Sequence, residues 1–352
     1  MSPLLWHKLQ LFAASFAVSV VAVPLIMKLS ETFGLYDRID ERKIHKNKIS
    51  RLGGLGIFLG FIMPFLYTVF SVANPGFNVP LYLGALAVIF LTGFFDDISH
   101  VRARYKLILQ IVAGVLVWAA GLSFNKFNFL NLFEINFGYF SVVITVFWVV
   151  AFVNAINLLD GMDGLASGIV FIANIFVFYI AFTTGNALVA SMSMVMAGSI
   201  LGFYIFNFPP AKIFMGDGGA YFLGFIYATM PLMGVKKSSV ATIFLIPLIL
   251  LLVPMLDIVQ VVLKRVKMGY NIFIADKNHL HHRLLGIGLS IRGVLVVVYG
   301  YTVMLGLTSV LMVRIDPHHS LLLFVIIGLL MFLSLYLLNS AERIIERRDG
   351  SD

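Results

Sequence analysis

Residues 141–182 read SVVITVFWVVAFVNAINLLDGMDGLASGIVFIANIFVFYIAF. Two apolar runs, Ser141–Asn157 and Leu165–Phe182, each approach the ~20 residues that a membrane-spanning helix needs. The short link between them holds two Asp and two Gly and no Lys or Arg. Similar runs recur along all 352 residues, so that 60% of the chain is hydrophobic, only 12% is charged and the mean hydropathy is +0.98. An average soluble domain carries roughly 25% charged residues. A water-soluble globule of this size could not bury so much apolar surface. Disordered, fibrous and disulfide-rich secreted chains are excluded as well. The chain has no Cys, which removes thiolate nucleophiles and Cys-ligated metal centres.

Working outward from this stretch, the apolar runs predict an all-α integral membrane protein, one domain over 1–352, with about eleven transmembrane helices. The spans are Leu9–Met27, Leu52–Val72, Val79–Phe95, Leu107–Leu122, Ser141–Asn157, Leu165–Phe182, Ala187–Phe206, Ala220–Met233, Val240–Leu263, Val294–Met312 and Leu321–Asn339. An odd number of spans puts the termini on opposite sides. On one side the basic residues are Lys8, Lys126, Lys236, Lys237 and Arg314; the rest of the 25 Lys and Arg lie on the other. The positive-inside rule makes that richer side cytoplasmic, with the N-terminus outside and the C-terminus inside. The first run is too long for the apolar core of a signal peptide and is expected to be a retained span. The net charge of +8 is then a consequence of topology, and no nucleic-acid partner is needed to explain it. The aromatic–polar alternation over Ser123–Phe140 suggests a small external hairpin.

The polar clusters that could carry chemistry fall on the basic side, at helix ends. Asp96 and Asp97 close the third span directly after Phe94-Phe95. Adjacent carboxylates repel unless a cation or a proton relieves them, and Arg102, Arg104, Lys106 or a divalent metal could do so. Asn157, Asp160 and Asp163 lie in Asn-Leu-Leu-Asp-Gly-Met-Asp-Gly. In a helical turn the two Asp would share a face. Asp217 stands alone on the Gly-flanked turn Phe-Met-Gly-Asp-Gly-Gly, which follows Asn207 and Pro209-Pro210. Magnesium is commonly held by one or two carboxylates together with phosphates and water, and such a turn suits it; an N-cap Asp is the plainer reading. His279, His281, His282 and Arg283 sit in the longest cytoplasmic loop, where phosphate or sugar contacts compete with zinc binding and with a solvated loop. The first loop holds a basic run containing Lys46, followed by Gly53-Gly54. Asp257 is the single carboxylate within a span, beside Pro254. A proton-coupled transporter would place its carboxylates near mid-membrane, whereas these clusters fit phosphoryl transfer at the membrane surface.

The paired Asp96-Asp97, the 157–164 segment, Phe-Met-Gly-Asp-Gly-Gly at 214–219 and His-Leu-His-His-Arg at 279–283 resemble the polyprenyl-phosphate N-acetylhexosamine-1-phosphate transferases. The likeness covers nearly the whole chain in the same motif order. The His-Leu-His-His-Arg form resembles the bacterial undecaprenyl-phosphate N-acetylglucosamine-1-phosphate transferases rather than the peptidoglycan-precursor branch with its three adjacent His. The resemblance implies transfer of GlcNAc-1-phosphate from UDP-GlcNAc to undecaprenyl phosphate, giving undecaprenyl-pyrophosphoryl-GlcNAc and UMP. It implies Mg2+, or alternatively Mn2+, a bacterial inner-membrane location at the start of a surface glycan such as O-antigen or teichoic acid, and by family analogy a homodimer. Carried over by motif, Asp217 would hold the metal, and Asp96 and Asp97 would act at the lipid phosphate. Asn157, Asp160 and Asp163 would line the nucleotide end, Phe214 would stack on uracil with Asn207 and Lys46 near it, and His279, His281, His282 and Arg283 would hold the sugar phosphate. The alternative function is a lipid or nucleotide-sugar transporter, or the same chemistry with another UDP-HexNAc donor.

Overall fold

A computed structural model describes residues 3–36, 49–72, 75–129, 133–234, 265–266, 269, 280–316, 318–320 and 322–334. The chain falls into two compact units, Met1–Pro247 and Leu248–Asp352. Among the described residues the first unit holds eight α-helices in sequence: α1 (Pro3–Phe33), α2 (Gly53–Phe70), α3 (Val79–Ser99), α4 (Ala103–Ala119), α5 (Ser141–Leu159), α6 (Leu165–Thr183), α7 (Ala187–Asn207) and α8 (Gly216–Thr229). Between α4 and α5 stands the antiparallel pair β1 (Lys126–Phe129) and β2 (Phe133–Asn136), the hairpin suggested by the aromatic–polar alternation. In the second unit are the helices Leu280–Gly286 and Ile291–Arg314, the latter capped by Ser290, whose hydroxyl accepts from the Gly293 amide.

Among the described residues seven helices are long and apolar enough to cross a membrane: α1, α2, α3, α5 with its leading turn, α6, α7 and Ile291–Arg314. This is the architecture of an all-α membrane protein. The expected fourth and eighth spans are shorter helices, of 17 and 14 residues. The eighth has a packing reason. Every residue of α8 is buried, against α3, α5 and α2, and a helix enclosed on all sides need not match the thickness of lipid. The expected span Val240–Leu263, with Asp257, lies outside the described residues.

Local sequence sets the helix limits. Asn78 caps α3 by accepting from the Leu81 amide, and Asn186 caps α7 by accepting from Val189. His100 ends α3 with a left-handed φ of 53°, which turns the chain back into α4. The helices run alternately up and down. The C-terminal ends of α3, α5 and α7 therefore meet the N-terminal ends of α2, α4, α6 and α8 at one end of the unit.

The α1–α7 seam is made of small residues, as helix contacts inside membranes commonly are. Ser15 donates to the Val195 carbonyl at 2.6 Å, and Ser19 donates to the Ser199 carbonyl at 2.8 Å. Lys8, almost wholly buried, is satisfied by the Ser191 hydroxyl and the Ala187 carbonyl. A Cβ added at Gly198 would stand 2.4 Å from the backbone oxygen of Phe12, so the two helices could not stay at this distance. At Gly84 of α3 a Cβ meets nothing within 4 Å. Gly198→Ala should therefore lower the melting temperature of the detergent-purified protein by several degrees. Gly84→Ala should leave it unchanged or raise it, since Ala exceeds Gly by about 1 kcal/mol in intrinsic helix propensity.

Candidate active site

Four carboxylates and two cations from five chain segments converge where the helix ends meet. Asp97, at the end of α3, is 2% exposed at its side chain and gives both oxygens to the start of α8. Its Oδ1 accepts from the Asp217 amide at 2.8 Å and its Oδ2 accepts from the Gly218 amide at 2.9 Å. The residue preceding α8, Met215, provides no side-chain cap. Asp97 thus supplies from another helix the anionic acceptor that the amides and dipole at a helix start favour. The backbones must come very close for this. A Cβ at Gly93 would lie 2.4 Å from the Asp217 carbonyl oxygen.

With its backbone held this way, Asp217 has its carboxylate in a dense polar field. The Lys106 ammonium donates to Asp217 Oδ2 at 3.0 Å and to Asp96 Oδ2 at 2.5 Å. Asn157 donates to Asp217 Oδ1 at 3.1 Å, and a guanidinium nitrogen of Arg51 lies 3.5 Å from the same oxygen. Tyr221, one turn further along α8, is buried close enough to this carboxyl to feel its charge. Asp96 is fixed in addition by the Val101 amide, which donates to its Oδ1 at 2.6 Å. At the mouth of α8 burial pushes the Asp217 pKa up, but Asp96, Lys106 and Arg51 together outweigh burial and hold it below the ordinary carboxylate value. Asp217 is ionised.

Asp160 ends α5 and keeps part of its surface accessible while lying deep among protein atoms. Burial pushes its pKa well up, and the charges of Asp217, Asp97 and Asp163 add to this against the pull of Arg51. Asp163 and Asn207 are turned inward. Asp163 accepts from the Ala211 amide at 3.0 Å. Asn207 Oδ1 accepts from the Gly164 amide and the Ser167 hydroxyl, and its Nδ2 donates to the Ile213 carbonyl. Both residues tie the α5–α6 link to the segment that leads into α8. The backbone of Phe214 is pinned on each side, its amide donating to the Ser50 carbonyl and its carbonyl accepting from the Gly53 amide. That pairing brings Arg51 to the site.

Of the residues expected from sequence, Asp96, Asp97, Asn157 and Asp217 are in mutual contact or share a partner, Asp160 is electrostatically coupled to them, and Asp163, Asn207 and Phe214 build the adjoining loops. Lys46 and His279, and the side chains of His281 and His282, lie outside the described residues. Arg283 is a buried residue of Leu280–Gly286 in the second unit. Arg51 and Tyr221 are additions, while Lys106, expected among the cations that could relieve the carboxylate pair, does so at Asp96 and reaches Asp217 as well. For Lys106 the only sequence signal is a cation shortly after a carboxylate pair. Tyr221 could be found from its place one helical turn after Asp217.

The donor set is all oxygen and hard, which fits Mg2+ or Mn2+ better than a soft-ligand ion. Among the described residues no three His, Asp or Glu side chains form a complete cage. Magnesium commonly makes do with one or two carboxylates, completing its shell with water and substrate phosphate. The carboxyls of Asp96 and Asp217 converge on one cation, the Lys106 ammonium, which contacts an oxygen of each.

Known proteins resemble this chain over most of its length. The family model of glycosyl transferase family 4 matches residues 79–235, from the start of α3 past the end of α8. A probable undecaprenyl-phosphate N-acetylglucosaminyl 1-phosphate transferase of Bacillus subtilis (strain 168) is 34% identical over 289 residues, 82% of this chain and 80% of its own length. A decaprenyl-phosphate N-acetylglucosaminephosphotransferase of Mycobacterium leprae is 33% identical, covering 74% of this chain and 72% of its own. A phospho-N-acetylmuramoyl-pentapeptide-transferase of Listeria monocytogenes is 34% identical over 60% of this chain and 71% of its own.

The double acceptor role of Asp97 predicts a stability effect separate from chemistry. Asp97→Ala leaves two amides at a buried helix start without an acceptor and should cost at least about 2 kcal/mol. Asp97→Asn retains one carbonyl oxygen and should cost less. Melting temperatures of the purified variants, measured without substrate, check the order wild type, Asn, Ala.

Proposed function

Because the chain belongs to glycosyl transferase family 4, with its polyprenyl-phosphate N-acetylhexosamine-1-phosphate transferases, we propose that it transfers GlcNAc-1-phosphate from UDP-GlcNAc to undecaprenyl phosphate. The observation that supports this reading best is the Asp96–Lys106–Asp217 bridge beside Arg51: paired carboxylates for a divalent cation next to two cationic side chains suited to phosphate oxygens. In this reading the site faces the cytoplasm of the bacterial inner membrane, the N-terminus is outside and the products are undecaprenyl-pyrophosphoryl-GlcNAc and UMP.

Asp217, with Asp96 beside it, would hold Mg2+ or Mn2+. Bound there, the ion would supply charge neutralisation for the donor pyrophosphate. The protein's own groups do the rest. Arg51 and Lys106 take phosphate oxygens, and Asn157 keeps the Asp217 carboxylate in one orientation. Asp96 orients the acceptor phosphate, whose second pKa near 6 leaves it mostly dianionic and nucleophilic at pH 7. An acceptor oxygen attacks the β-phosphorus of the donor. One P–O bond forms, the bond from that phosphorus to the bridging oxygen breaks, and UMP leaves with the electron pair. No covalent enzyme intermediate is required. Asp160, half-buried at the end of α5 and with no side-chain hydrogen bond among the described residues, is placed to bond a donor hydroxyl or amide.

Radiolabelled UDP-sugars offered with undecaprenyl phosphate test the reading. Labelled lipid should form with UDP-GlcNAc together with an equal amount of UMP, and formation should stop in EDTA. Asp217→Asn should lower kcat by at least about 1,000-fold, the scale of losing one electrostatic stabiliser at a reacting centre. Transfer from UDP-MurNAc-pentapeptide instead would move the chain to the branch of its Listeria relative. Sugar uptake into vesicles without UMP release would favour a transporter.

A further inference from the structure

The ammonium of Lys106 lies on the line where a divalent ion would bridge two carboxylates. It contacts the Oδ2 atoms of both Asp96 and Asp217, at 2.5 and 3.0 Å. Both carboxylates are buried and share this one ammonium, so a cation that relieved them in its place would stand close to where it stands. Lys106 can withdraw. Its side chain is 21% exposed, at the start of α4, and its four-carbon stem has rotational freedom that a guanidinium fork lacks. Asp97 cannot replace it as the moving part, because both of its oxygens are committed to α8 amides. Arg51 is a poorer bridge: its contact with Asp217 is 3.5 Å and goes to Oδ1, the oxygen that Asn157 also occupies.

We propose that Lys106 is the built-in occupant of the divalent-cation position: its ammonium bridges Asp96 and Asp217 in the cation-free protein and leaves when the ion enters. This rests on the reading of Asp217 as a metal ligand. The exchange keeps two buried carboxylates from facing each other uncompensated in the resting protein. It also means that the ion competes with an internal cation, so intrinsic metal affinity is lower than the carboxylates alone would give. Ion entry and release of a cationic side chain become one event.

The experiment uses the full chain in detergent, with Mn2+ alone as the probe, free Mn2+ being counted by its magnetic resonance signal. Lys106→Gln removes the competing charge and should bind Mn2+ more tightly than wild type by about ten-fold, the scale of one charge-assisted hydrogen bond. In wild type, reductive methylation followed by peptide mass spectrometry should show Lys106 modified several-fold faster with Mg2+ than with EDTA. The exposed Lys28 of α1 should not change. The methylation readout uses unmutated protein, so it decides the matter even if the Gln variant is unstable. Unchanged or weaker Mn2+ binding in a folded Lys106→Gln protein, or a Lys106 methylation rate indifferent to Mg2+, would overturn the exchange. Saturable Mn2+ binding in wild type that persists in Asp217→Asn, or no saturable binding at all, would overturn the metal-ligand reading as well.

Discussion

The carboxylate of Asp97 on the first two amides of α8 is the constraint from which the site follows. A helix start carries unsatisfied donors and a partial positive charge. Here it is buried, so neither water nor a neighbouring Ser or Asn can answer it. Asp97 does so from α3, and in doing so sets the distance between α3 and α8. That distance is short enough to need Gly93 at the crossing. Once the amide of Asp217 is tied, its side chain lies where α4 begins and α5 ends, and Lys106 and Asn157 reach it there.

A second layer of contacts holds the loops that would otherwise let these helix ends drift. Asn207, at the last position of α7, links the Gly164 amide and the Ile213 carbonyl, while Asp163 reaches the Ala211 amide. The parallel bridge between Ser50 and Ile213 then carries the segment before α2 into register with the segment before α8. Polar residues from two clusters that look alike in sequence therefore divide into different work. Asp96, Asp160 and Asp217 border the site, while Asp97, Asp163 and Asn207 are consumed by the backbone.

Apolar run length is a strong signal, and it marks α1, α2, α3, α5, α6 and α7 because each must bury a face against neighbours and another against lipid. It starts α4 and α8 four residues too late, at Leu107 and Ala220 where the helices begin at Ala103 and Gly216. In α8 Gly216, Gly218 and Gly219 dilute the apolar run at the very place where close packing demands them, so the helix is read as starting later than it does. The Asp- and Gly-rich turns are legible as a site because carboxylates without basic neighbours have no structural explanation at a membrane surface. The division of those carboxylates is not legible, since it depends on which amides they meet across 48 to 121 residues. Arg51 is hidden for another reason, and Lys106 is legible only as one of three cations that follow the carboxylate pair. Cations at helix ends are what topology alone produces. Lys106 follows Asp96 by ten residues, and only the left-handed turn at His100 brings α4 back beside α3.

Charge bookkeeping connects this geometry to chemistry. Asp96, Asp97, Asp160 and Asp217 gather around Arg51 and Lys106, so acidic groups outnumber basic ones in a site with little water. Such a cluster is costly unless a further cation arrives or a proton stays behind. In the proposed reaction a donor pyrophosphate would bring yet more negative charge, so that donor and divalent ion would stabilise each other's binding. Placing the cluster at the ends of helices rather than midway along them keeps that charge within reach of water. The buried start of α8 still fixes the carboxylate that matters most to within the tolerance of two hydrogen bonds. An acceptor held in lipid can then meet a donor held in water only at this level of the bundle, where the apolar lengths of α3 and α5 stop and their carboxylates begin.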